Sequence, residues 1–200
     1  MKPRIFATAS FVALLTLSLA LTAADNTGAI SGTVNAGAAK KYPVLVYVDE
    51  IPGQKPGPPA RASMDQKAKV FIPRLLPVVV GTTVEFLNSD PFEHNLFSPD
   101  GEKYDLGNWN KGEKRTYTFK RPGVYTQLCK LHPEMIAYVA VLKTPHFAIA
   151  GDQGKFRIAN VPVGNWILKV WNERLRPNQL QKSYPVTVTS GEDVKIDIAP

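Results

Sequence analysis

The chain has 200 residues, a formal net charge of +7, 17 prolines, three histidines and a single cysteine. One cysteine excludes a disulfide-stapled scaffold, and so many prolines leave little room for long helices. Acidic residues are interspersed with the basic ones, and no basic block carries stacking aromatics, which argues against a nucleic-acid partner.

The N-terminus reads as a targeting segment. MKPR supplies a basic start and IFATASFVALLTLSLALTA an apolar run, with small residues Ala23 and Ala24 at the expected cleavage zone. Residues 1–24 are therefore a signal peptide, and a periplasmic or secreted location is expected. No cysteine lies there, so the lipid-anchored version of such a signal is not available. Cleavage removes Lys2 and Arg4, leaving a net charge of about +5 on the mature chain, a balance that suits an acidic partner protein or an anionic surface. No later segment approaches the roughly 18 to 20 apolar residues of a spanning helix.

Beyond the signal, short alternating runs succeed one another. ISGTV, YPVLVYV, KVFIP, TTVEFLN, RTYTF, VYTQLC, IAYVAVL, KFRIANV, NWILKVW, PVTVT and DVKIDI are mostly separated by Gly, Pro, Asn or Asp. The fold class is all-β, with Greek-key sandwiches as the expected architecture. Two composition breaks, IPGQKPGPPA at 51–60 and KTPHFAIAGDQGK at 143–155, set off a central unit. The tail is too short to fold alone. Residues 25–60 are expected to lend it strands, making a discontinuous outer domain of 25–60 and 144–200 around an inserted domain of 61–143.

The central unit holds the chemistry. CKLHPEM places Cys129, His132 and Met135 at three-residue steps in one loop after the strand VYTQLC. An exported chain normally pairs its cysteines, so a lone thiol is a free reactive group, an intermolecular link or a metal ligand. A fourth donor, His94 in NSDPFEHNLF, stands 35 residues before the cysteine, just past TTVEFLN. Zinc sites favour Cys and His in tetrahedra, calcium and magnesium take oxygens, and iron–sulfur clusters need several cysteines. Two imidazoles, one thiolate and one thioether describe a blue copper site, acceptable to both Cu(I) and Cu(II). A Cys129–His132 nucleophilic dyad lacks an orienting third group, and three histidines are too few for a multicopper catalytic cluster. A non-enzymatic protein is expected. His146 and Met64 are read as packing or surface residues, Met64 lying before the first strand of the central unit.

From about Lys69 to Val141 the sequence resembles the cupredoxins, amicyanin and plastocyanin among them, on FIP, VVVGTTVEFLNSD, His94-Asn95, PGVYTQLCKLHPEM and AYVAV. The three-residue step from His132 to Met135 is the amicyanin spacing. The resemblance implies His94, Cys129 and His132 as equatorial copper ligands and Met135 as the axial one. It also implies that Asn95 steadies the site through its backbone amide near the thiolate and a side chain tying the two ligand loops. Electrons are expected to cross at His132 through a patch of Leu131, Pro133, Pro91 and Phe92 to a redox partner. Lys130, Leu131 and Glu134 depart from the small, proline or apolar residues usual there and make the rim more polar. The tail GKFRIANVPVGNWILKVW resembles the carboxypeptidase regulatory-like, transthyretin-like β domains, which implies a structural or contact role. The function expected is one-electron transfer. A copper carrier or sensor using the same ligands is the alternative, and a metal-free structural module a third reading.

Overall fold

The computed structural model describes residues 26–37, 41–54, 57 and 60–200; the expected signal peptide, residues 1–24, lies outside them. Four sheets account for almost all of the regular structure, and the only α-helix among the described residues is the four-residue α1 (Pro177–Leu180). No helix among them is long and apolar enough to cross a membrane.

The first strand, β1 (Thr27–Val34), lies between β13 (Lys155–Pro162) and β16 (Asp193–Ile198), antiparallel to the former and parallel to the latter. Gly32 is required here. A Cβ at that position would sit 1.8 Å from the Ile196 carbonyl oxygen, so only a bare backbone lets β1 and β16 approach. A four-stranded sheet faces this one, in the order β12 (Phe147–Ile149), β2 (Leu45–Val48), β14 (Gly164–Trp171), β15 (Tyr184–Val188). The strands before residue 50 thus pair with strands after residue 146. Between the two sheets lies an aliphatic core that includes Ile30, Val46, Ile158, Leu168 and Val188.

The intervening chain forms a second sandwich. Its five-stranded sheet runs β5 (Leu75–Val79), β11 (Ile136–Leu142), β10 (Gly123–Leu128), β7 (His94–Ser98), β8 (Tyr104–Trp109). Its four-stranded sheet runs β4 (Val70–Ile72), β3 (Arg61–Lys67), β6 (Thr83–Leu87), β9 (Lys114–Thr118). Alternation sets the inward face: in β6, Val84 and Phe86 are buried, while Thr83, Glu85 and Leu87 are only partly covered. Met64, expected ahead of the first strand, sits inside β3 and is wholly buried in this core, because β3 pairs in parallel with β6.

Strand β11 carries the continuous apolar run IAYVAVL because both of its faces are covered. Ala137, Val139 and Val141 enter the core of their own sandwich. Ala140 and Leu142, with Leu75 of β5, pack against Leu45 of β2. Tyr138 meets Trp171 of β14 with ring centroids 4.8 Å apart. This joint fastens the two sandwiches sheet to sheet.

Candidate metal centre

The base of the CKLHPEM loop is pinned by pairing. Leu128 is in register with Ile136 of β11 on one side and with Phe97 of β7 on the other. Residues 129–135 must therefore close within seven positions, and the Met135 amide donates back to the His132 carbonyl at 3.0 Å. That turn aims His132 back over Cys129, with Nδ1 3.8 Å from Sγ.

Strand β7 brings the other histidine. His94 is its first residue, fully buried, with Nδ1 3.9 Å from the same Sγ. The loop ahead of it is organised by Asn88, whose Nδ2 donates to the Phe92 and Trp109 carbonyls at 2.9 and 3.0 Å and whose Oδ1 accepts the Asp90 amide. That contact is an Asx turn, a local device that lets a polar side chain shape the backbone around it. It presents Asp90 to His94, with 2.8 Å between Oδ2 and Nε2. A carboxylate only accepts, so Nε2 carries the proton and the Nδ1 lone pair faces the sulfur. Burial works to raise the Asp90 carboxyl, but the Lys69 amide, the His94 ring and the Ala68 amide outweigh it and hold its pKa below the ordinary value. Asp90 was not picked out from the sequence; the only signal was an acid four positions ahead of a histidine.

Among the described residues, His94, Cys129 and His132 form a cluster whose ligand atoms all lie within 4.8 Å of one another. An ion with bonds of about 2.0 to 2.3 Å to nitrogen and sulfur spans donors about 3.5 to 3.9 Å apart, so the sulfur-to-nitrogen spacings fit one transition metal. Two imidazoles and a thiolate fit copper in particular. Met135 is 1% exposed and lies in the same buried core as Cys129.

Asn95 occupies the gap between the two donor segments. Its amide points at Cys129 Sγ at 3.4 Å, and its Oδ1 accepts the Lys130 amide at 3.4 Å. Its Nδ2 donates to Asp105 Oδ1 and the Gly107 carbonyl, each at 3.0 Å. The Lys130 ammonium also pairs with Asp105. Lys130, then the Gly107 amide and Asn95, depress the Asp105 carboxyl to about 2.

Toward solvent the site is rimmed by apolar groups. The Phe92 ring centroid is 5.2 Å from that of His94 and 5.6 Å from that of His132, and the two imidazoles are 4.8 Å apart. His132 is half-buried, while Phe92 and Leu131 are large exposed hydrophobics and Pro91 and Pro133 are exposed beside them. His146 lies elsewhere: its ring meets Gln54 Nε2 at 3.0 Å, and it is not part of the cluster.

No protein-family model matches the chain, and no curated protein matches it. Several solved structures do. A purple cupredoxin from Nitrosopumilus maritimus is 28% identical over 40% of this chain and 98% of its own, with a TM-score of 0.38. A Cu-containing nitrite reductase from Thermus scotoductus SA-01 is 26% identical over 56% of this chain and 28% of its own, with a TM-score of 0.41. An amicyanin variant in its reduced state is 25% identical over 46% of this chain and 96% of its own, with a TM-score of 0.39.

Proposed function

We propose that the protein is an exported one-electron carrier in which His94, Cys129 and His132 would hold a single copper ion, with Met135 as a weaker fourth donor. The observation that carries this reading is the buried Cys129 Sγ facing two imidazole nitrogens at 3.8 and 3.9 Å. Copper bound there would supply a centre that gains and loses one electron with little change in geometry.

The chain's own residues do the rest. Asp90 fixes the His94 tautomer, leaving Nδ1 free to donate. The Asn95 amide donates toward the Cys129 sulfur, and the Asn95 side chain keeps the two donor segments in register. Burial of His94, Cys129 and Met135 excludes water, and an ion held there would shelter the lone thiol from oxidation. His132, half-buried under the Phe92 and Leu131 rim, is the edge through which an electron passes to a docked partner. The net positive charge suits an acidic redox protein. We assign residues 61–143 to the copper domain, and 25–60 with 144–200 to a second β domain with a structural or docking role.

Adding Cu(II) to the purified mature protein tests the reading. One equivalent should give an intense visible absorption band and a narrow parallel hyperfine splitting in electron spin resonance, both absent in Cys129→Ser. A colourless protein overturns it. Transfer of copper to an acceptor chelator within seconds would instead make the ion cargo and the protein a copper carrier.

A further inference from the structure

The far end of the ligand loop is held by a side chain that is itself held by the other sandwich. Arg74, just before β5, donates Nη1 to the Ile136 carbonyl at 3.2 Å, and Ile136 directly follows Met135. The Arg74 carbonyl also accepts the Tyr138 amide at 2.9 Å, so backbone and side chain of one residue grip the start of β11.

The rest of that guanidinium is committed across the joint. Its Nε and Nη2 donate to the two oxygens of Glu173 at 2.7 and 2.9 Å, a bidentate fork. Glu173 sits in the turn after β14, with only 5% of its side chain exposed. Asn172 sets that turn, donating to the Tyr42 and Pro43 carbonyls and accepting the Arg174 amide at 2.8 Å. The Tyr42 ring lies under both Arg74 and Arg174, at 5.4 and 4.7 Å. A planar fork satisfied on both prongs has little freedom left, and a carboxylate this buried is costly to leave without its partner. The position of the Ile136 carbonyl is thereby referred to residues of the outer sandwich.

We infer that Arg74 and Glu173 are positioning residues for the metal centre: through the Ile136 carbonyl they limit how closely Met135 approaches the plane of His94, Cys129 and His132. The outer sandwich then tunes the redox centre rather than merely accompanying it. This rests on the copper reading above for its spectroscopic consequence, but not for its mechanical one.

The test uses the full mature chain with Arg74→Met, Arg74→Lys and the pair Arg74→Met/Glu173→Met, which leaves no unpaired buried charge and so preserves folding. Leu45→Ala, a cavity in the same joint away from the fork, is the control for lost stability. In metal-free protein, hydrogen exchange at the Met135 amide should quicken about tenfold in the pair relative to that control. In copper-loaded protein, the ratio of the visible bands and the hyperfine splitting should shift in Arg74→Met and in the pair and stay unchanged in Leu45→Ala. Arg74→Lys should shift too, because an ammonium cannot span both the carboxylate and the carbonyl. Unchanged exchange at Met135 overturns the inference, as does an unaltered spectrum in the copper-loaded pair or in Arg74→Lys. If the unsubstituted chain takes up no copper, the functional reading fails, and the exchange result alone decides the mechanical link.

Discussion

Two of the three histidines are buried, one in each sandwich, and their surroundings differ. His94 has a carboxylate fixing one nitrogen and a thiol 3.9 Å from the other, with His132 closing the group. His146 has the amide of Gln54 at its Nε2 and no thiol or second imidazole. The difference extends to the cores. The outer sandwich buries the polar side chains of Ser31, Thr144, His146 and Asn172, whereas the central one buries Gln66, Thr82, Asn88, Asp90, His94, Asn95, Ser98 and Gln127. Of these, Asn95 donates to the Cys129 sulfur, His94 faces it through Nδ1, and Asp90 holds the far side of the His94 ring, so three of the buried polar side chains serve one sulfur.

The sharpest way to break the comparison is to remove each histidine in turn. His94→Ala should abolish copper-dependent absorbance, while His146→Gln keeps it at full intensity; equal loss in both would erase the distinction. Next in size is a backbone change in the outer sandwich. Gly32→Ala should cost on the order of 3 kcal/mol or more in denaturant unfolding, since β1 and β16 must separate to admit the methyl group. A milder change sharpens the picture at the proposed centre: Met135→Leu should keep the colour but shift the reduction potential, measured by voltammetry, because a weak thioether donor would tune the ion rather than anchor it. The smallest effect concerns pH. Burial pulls His146 below its ordinary value of 6.5, a pull that its ring hydrogen bond to the Ala159 backbone opposes only in part. The unfolded chain then takes up a proton first. Stability should be full above pH 6.5 and decline as pH falls through the lower folded value, and His146→Gln should flatten that decline in thermal melts.

Alternating strands were readable wherever one face is buried and the other solvated, as in β6 and β13. Strand β3, RASMDQK, was not: its covered positions include Gln66, a polar residue at 0% exposure, so no apolar alternation announces it. Strand β8 was hidden too, by Gly107 and by a face left mostly open to solvent. The Cys129, His132 and Met135 spacing was legible because a tight loop keeps its donors close in sequence. Asp90 and the Asn88 turn were not, since acids and amides in a turn are ordinary. The contact between Arg74 and Glu173 spans 99 positions and leaves no local trace at either end.

The seating of β1 between β13 and β16 has a consequence for how the molecule is made. Among the described residues, β1 finds its partners only when β13 and β16 have been delivered, whereas every strand of the central sandwich is complete by Leu142. Contacts of such long sequence separation form slowly. The inner sandwich can assemble while β1 still waits, and the outer sandwich closes after it, on strands drawn from both sides of the inner one.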